Sequence, residues 1–356
     1  MGRGRNLGVD VARGAAVVLM IETHAYDGWV HALGKASWGY ALSRVLSNIP
    51  AALFLLLAGV GLALAAAGRD GTVRPRLARR ALGVIGWGYV ISLVYAAIEG
   101  VFRPAELLRA DILHCIGLSL LVCTWLLIGR CHMVLRAVVL TGAALAGSIL
   151  LPRLLPPLPA VLAVPAALIL DVVPYTRFPL LPLVGFCAIG VAVGDWLARG
   201  QPSPRRALLL GAGAAMLAVV FTWATGAAVR VLGGTLSRAH PAVVFNLLNG
   251  ACRALCVLFL GIAAAGLRSR AVRWPLAPLA QLGRGSLLAY AFHIPFCYGR
   301  LSAPWAARLD MAQATAALVG LVLLTWGVVR ARDGIRSRLQ GRLGATARWQ
   351  HRGSPL

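Results

Sequence analysis

The hydrophobic positions of this chain come in long blocks, with no strand-like alternation. Ten blocks reach the roughly 20 apolar residues that a helix needs to cross a bilayer at about 1.5 Å rise per residue. They cover roughly 7–26, 44–67, 78–98, 111–129, 134–152, 178–198, 207–229, 242–266, 278–297 and 311–330. The expected fold is all-α, a polytopic transmembrane helix bundle of about ten spans. The stretch Pro152–Pro174 is also apolar, but it contains Pro152, Pro156, Pro157, Pro159, Pro165 and Pro174. Proline removes a helix hydrogen bond, so this stretch reads as an extracytoplasmic loop with a re-entrant or interfacial piece. Residues 1–332 read as a single transmembrane domain, and 333–356 as a basic cytoplasmic tail held near anionic headgroups.

The polar positions between the blocks are sorted by charge. Of 35 Lys+Arg residues only Lys35 is a lysine. A dense set of 22 comprises Arg3 and Arg5; Arg69, Arg74, Arg76, Arg79 and Arg80; Arg130 and Arg136; Arg199, Arg205 and Arg206; Arg268, Arg270 and Arg273; and the tail from Arg330 to Arg352. A sparse set of 10 comprises Lys35, Arg44, Arg103, Arg109, Arg153, Arg177, Arg230, Arg238, Arg300 and Arg308. The two sets alternate from one connection to the next. Lys/Arg-rich short loops stay in the cytoplasm, so both termini are expected there, in an integral inner-membrane protein with an even number of spans. An eleventh span in the proline-rich stretch would spoil this sorting.

Composition agrees. Charged residues make up 13% of the chain and hydrophobic ones 59%, at a mean hydropathy of +0.79, where a soluble domain carries about 25% charged residues. The net charge of +24 is spread over short loops, which fits topology and anionic lipid and argues against nucleic acid. Almost all of the seven cysteines sit in apolar runs without metal-ligand spacing, so they read as small packing residues and no metal is expected. The first apolar run carries Arg13, Glu22 and His24 and no small-residue cleavage site, unlike a secretory signal. The 40 glycines, with runs such as Gly59–Ala67 and Gly211–Ala215, suit close helix packing.

Ionisable groups inside spans are costly and usually face a cavity or one another. Asp10, Arg13, Val17, Met20 and His24 follow a 3-4-3-4 spacing, one stripe of the first span. The stripe joins a charged inner end to a titratable outer end about 16 Å away, where Glu22 and Asp27 flank His24. Asp111 and His114 stand three apart at the outer start of the fourth span, where Asp111 could also serve as a helix cap. Asn246, Asn249 and Arg253 share one face of the eighth, and Ser286, Tyr290 and His293 one face of the ninth. Three histidines thus converge on the outer half, while Asp10, Arg13, Arg79, Arg80 and Arg284 gather at the inner.

A family likeness lies on the same positions. Val9-Asp10-Val11-Ala12-Arg13-Gly14, followed by Met20 and His24, resembles the first span of bacterial proteins similar to the heparan-α-glucosaminide N-acetyltransferase catalytic domain. Phe54 through Val60, Asp111-Ile112-Leu113-His114-Cys115-Ile116-Gly117 and Leu181-Pro182 through Gly190 resemble its later elements, with Leu183 where tryptophan is common. Leu282-Gly283-Arg284-Gly285-Ser286 through Tyr290, His293 and Pro295 is similar to its closing element, which the wider clan of integral-membrane acyltransferases shares. The ordered set runs from about residue 5 to 330. One departure stands out: Lys35-Ala36-Ser37-Trp38 replaces a His-Ala-Ser-Trp loop whose histidine is proposed as catalytic, so that role does not carry over to Lys35, and His24 takes its place by its own position.

The resemblance implies transfer of an acyl group, typically acetyl, from cytoplasmic acetyl-CoA or another acyl-CoA to an amine or hydroxyl of a saccharide or glycoconjugate on the far side. Asp10, Arg13, Arg79, Arg80 and Arg284 would hold the donor, whose phosphates need cations. His24 would be general base or acyl carrier, with Glu22 or Asp27 orienting it and Asp111 and His114 beside it. Arg253, Asn249 or His114 would stabilise the oxyanion, and Asn246, Asn249, Arg253, His293 and Asp27 would contact the acceptor. The expected partners are the lipid bilayer and the acceptor; a homodimer stays open. The alternative from the same residues is a saccharide or lipid-linked sugar transporter, although no internal repeat supports it.

Overall fold

Asn6 starts the first helix. Its side-chain oxygen accepts the N–H groups of Gly8 at 3.0 Å and Val9 at 3.3 Å, two donors that no earlier turn could satisfy. The computed structural model describes residues 6–69, 71–102, 107, 109–129, 131–154, 160–171, 176–234, 236, 240–267 and 269–352. Of the sorted arginines, Arg3, Arg5, Arg103, Arg130, Arg238 and Arg268 lie outside them. Among the described residues 83% are helical. Among the described residues the helices are α1 (Leu7–Trp29), α2 (Trp38–Leu46), α3 (Ile49–Ala66), α4 (Arg74–Glu99), α5 (Ile112–Leu126), α6 (Met133–Leu154), α7 (Ala160–Ala167), α8 (Leu180–Arg199), α9 (Pro204–Leu232), α10 (Val243–Gly266), α11 (Arg270–Arg284), α12 (Ser286–Cys297) and α13 (Met311–Arg352).

Seven are long and apolar enough to cross a membrane: α2–α3 taken together, α4, α6, α8, α9, α10 and α13 as far as Arg338. The chain is a multi-pass membrane protein. α5 and α12 are apolar but have only 15 and 12 residues, and α1 carries Asp10, Arg13, Glu22 and Asp27. The expected second segment begins earlier, with α2, and is interrupted at Ser47–Asn48, where Pro50 stands at the start of α3 and can donate no helix hydrogen bond. The expected ninth segment is interrupted at Gly285. In the proline-rich stretch α6 ends at Leu154 and the eight-residue α7 follows; residues 155–159 and 172–175 lie outside the described ones. α13 runs on to Arg352, within the segment 333–356 expected as a separate tail, whose residues 353–356 lie outside the described ones.

α1 is the hub, packed by α3, α10, α11, α12 and α13, and its Ala16, Val17, Ile21 and Ala25 are fully buried. α8 is a second centre among α3, α5 and α6. Glycines set both crossings. A Cβ on Gly59 would overlap the Cys187 carbonyl oxygen, and one on Gly190 the Leu56 carbonyl oxygen, so α3 and α8 touch backbone to backbone. Gly14 stands likewise against Leu279 O, and Gly283 against Asp10 O, where α1 crosses α11. The periphery is different: 17% of the apolar stretch of α4 and α6 is buried, and 22% of α9, against 67% in α2–α3. Those three helices leave most of their apolar side chains exposed on the outside of the bundle.

The connection after α12 closes over the end of α1. His31 N–H bonds Leu309 O at 3.0 Å, Leu309 N–H bonds Trp29 O at 3.0 Å, and the Trp29 and Trp305 indoles donate to Phe296 O at 2.9 and 3.2 Å. This clasp fixes the last turns of α1 against those of α12.

Candidate active site

The clasp brings two imidazoles together. His24 Nδ1 lies 2.9 Å from His293 Nε2, with the ring planes 3° apart. His293 is fully buried, and its Nδ1 lies 2.8 Å from the Ala289 carbonyl oxygen one turn back in α12. A carbonyl only accepts, so with neutral rings His293 carries its proton on Nδ1. His293 Nε2 is then an acceptor, and His24 must donate to it from Nδ1. The uncommitted ring nitrogen of His24 is Nε2, with its lone pair.

His24 lines a cavity of about 760 Å³, as do Arg13, Asp111, Asn246, Asn249 and Arg253. One cavity therefore reaches both ends of the α1 stripe. Asp10, one turn from Arg13, pairs with it at 3.3 Å and stays buried behind the wall. Tyr290 and Tyr298 line the cavity beside His24. The Tyr290 hydroxyl donates to the Asp111 carboxylate, which also caps α5 by accepting Ile112 N–H at 2.7 Å. The Tyr298 ring meets His24 edge-on at 5.6 Å, and its hydroxyl donates to Asp27 at 2.9 Å. Burial, with the Asp27 carboxylate adding to it, pushes the Tyr298 phenol above its ordinary range, which keeps it a donor.

Several expected neighbours stand elsewhere. Glu22 faces Ser43 and Arg44 on α2, and the Asp27 carboxylate is taken by Tyr298, so neither orients His24; His293 does. His114 lies outside the cavity lining. Its Nδ1 accepts Asp111 N–H at 3.2 Å to complete the cap of α5, and its ring packs against Tyr89. Arg79, Arg80 and Arg284 are exposed, and none of them lines the cavity.

The amide of Asn249 is oriented by logic of the same kind. Thr222 hydroxyl donates to Ala218 O at 2.8 Å, so its oxygen is left to accept, and it receives Asn249 Nδ2 at 2.9 Å and an Arg253 nitrogen at 3.3 Å. Asn249 Oδ1 is then an acceptor, buried and without a hydrogen-bond partner among the described residues. One of the two Nδ2 hydrogens is committed to Thr222.

The sequence reading missed Arg44, Arg109 and Arg177, which also line the cavity. Each belongs to the sparse arginine set. Arginines that run against the topological sorting need another reason to be there, and that was the available signal.

The family model described as "Heparan-alpha-glucosaminide N-acetyltransferase, catalytic" matches residues 5–228. The match takes in Arg13, His24 and Asp111 and ends within α9, before Asn249, Arg253 and His293. No curated protein matches the chain.

Proposed function

This chain belongs to the heparan-α-glucosaminide N-acetyltransferase catalytic family, and from that membership we propose that it transfers an acyl group across the bilayer. The donor is a coenzyme A thioester at the cytoplasmic face, acetyl-CoA in the first place. The acceptor is an amine or hydroxyl of an extracytoplasmic saccharide or glycoconjugate. The observation that carries this reading is the cavity touching both Arg13 and His24, about 16 Å apart along α1. The arginine sorting supports ten spans with both termini cytoplasmic, in the inner membrane. Arg79, Arg80 and Arg284 would then meet the donor's phosphates before its thioester arm passes Arg13.

In the reaction, the acceptor nitrogen or oxygen bonds to the acyl carbon as the carbon–sulfur bond breaks. His24 Nε2 takes the acceptor's proton and returns it to the departing thiolate, so coenzyme A leaves as the thiol and no other reactant is needed. His293 holds His24 in the tautomer that can do this. Arg177, which lines the cavity together with His24, Tyr290 and Tyr298, supplies positive charge where the carbonyl oxygen becomes an oxyanion. Asn246, on the α10 wall, contacts the saccharide.

Purified protein in detergent, given acetyl-CoA labelled in the acetyl group and a panel of amino sugars and oligosaccharides, tests the reading. Label should enter saccharide, and coenzyme A should raise the thermal midpoint. A broken helix lining a cavity, as at α2–α3, is also a transporter device. Absence of both label transfer and coenzyme A-dependent stabilisation would overturn acyl transfer in favour of transport.

A further inference from the structure

The interruption between α2 and α3 faces the cavity. Ser47, Asn48 and Pro50 line it, and no side chain caps the N-terminus of the 18-residue α3. Such a terminus carries roughly half a positive charge. Arg253 stands beside it and binds three elements together: one guanidinium nitrogen donates to Val45 O at 2.6 Å, in the last turn of α2, and the other to Thr222 on α9. Both partners are neutral. Among the described residues no carboxylate pairs with Arg253, although a charge at this depth ordinarily has one. Arg44, one residue before Val45, adds a second guanidinium to the cavity wall, shared with Glu22 behind it. Finally, Asn249 is 8% exposed, lines the cavity and holds Oδ1 without a partner. A buried acceptor left without a donor costs about 1–3 kcal/mol, so this oxygen points to a ligand that brings an N–H or O–H.

We propose that the interruption between α2 and α3 is a subsite for an oxyanion of the phosphate class carried by the acceptor, with Arg253, Arg44 and the α3 N-terminus taking the oxyanion and Asn249 Oδ1 accepting from a neighbouring hydroxyl or amine of the sugar. The inference rests on the acyl-transfer reading for the word acceptor; the binding itself does not depend on it. A phosphate monoester, at about −1.5 to −2 near neutral pH, matches one unpaired guanidinium, one shared guanidinium and a helix terminus better than a single carboxylate does. The same chemistry exists in the donor, whose phosphates are the competing occupants.

Thermal stabilisation of the full-length protein in detergent, without acetyl-CoA, is measured against glucosamine, glucosamine 6-phosphate, inorganic phosphate and, separately, coenzyme A. Glucosamine 6-phosphate should half-saturate at a concentration at least tenfold below that of glucosamine, and below that of inorganic phosphate. Arg253→Gln should erase the difference while leaving the coenzyme A response where it was. Asn249→Asp, a side chain of the same size, gives Arg253 a carboxylate of the protein's own and should erase the preference even where Arg253→Gln does not fold. Equal responses to the two sugars, a preference surviving Asn249→Asp, or a loss confined to coenzyme A would each overturn the proposal, the last by assigning the subsite to the donor. A protein that prefers the phosphorylated sugar but transfers no acetyl group would instead leave the subsite standing and remove the acyl-transfer reading.

Discussion

Ala289 decides which nitrogen of His24 is basic. Its carbonyl takes the His293 proton, and His293 then takes the proton of His24 Nδ1. His24→Ala should therefore lower kcat for acetyl transfer by about 10²–10⁴, with the acetyl-CoA KM near wild type and insertion intact; label transfer under saturating donor reads this directly. His293→Ala removes one orienting hydrogen bond, about 1 kcal/mol or roughly fivefold to tenfold in kcat. His293→Gln, whose amide oxygen can accept from His24, should recover part of that loss, which a purely structural role would not produce. His24 was legible in the sequence because a titratable residue ends a charged stripe. His293 was legible as a member of the same outer layer, but that it, rather than Glu22 or Asp27, touches His24 was not, because neighbours along the chain are not neighbours on a helix. Glu22 lies about 200° around α1 from His24 and faces α2, while Asp27, a turn further on, reaches Tyr298. A contact between α1 and α12 spans 269 residues, and no spacing rule reaches that far.

At the scale of elements, apolar blocks locate helices but not their interruptions. Both interruptions fall inside a single apolar block of the sequence, 44–67 and 278–297. What changes there is the hydrogen-bond ladder, which Pro50 and Gly285 alter without altering the apolar run. The glycines were legible as a class, but which of them touch backbone depends on how helices cross. Gly190→Leu must push α3 from α8 and should cost about 1–3 kcal/mol or more, seen as a lower thermal midpoint in detergent. Gly83→Ala, on α4 where no atom stands within 4 Å, should leave the midpoint unchanged or raise it by the helix preference for alanine, up to about 1 kcal/mol. If both substitutions behaved alike, the backbone contact at Gly190 would not be what sets that crossing.

For the whole molecule, the arginine sorting makes its own prediction about sidedness. In a Cys131→Ser background, which removes the exposed native thiol, a cysteine at Ala36 should react with an impermeant reagent added to intact cells. A cysteine at Thr72 should react only after permeabilisation; both positions are exposed on the protein. The reverse pattern would invert the proposed orientation. The family match ends at residue 228, yet α1 is enclosed by α10, α11, α12 and α13, all of which follow. That arrangement bears on how the protein is made. Chains emerge N-terminus first, so α1 enters the bilayer with Asp10, Arg13 and Glu22 long before the helices that will surround it exist. The wall bearing Asn246, Asn249 and Arg253, and the wall bearing Tyr290 and Tyr298, are synthesised more than 200 residues after α1 begins. The base of the proposed reaction is thus laid down well before its enclosure, so an unfinished chain has no closed cavity in which to spend acetyl-CoA.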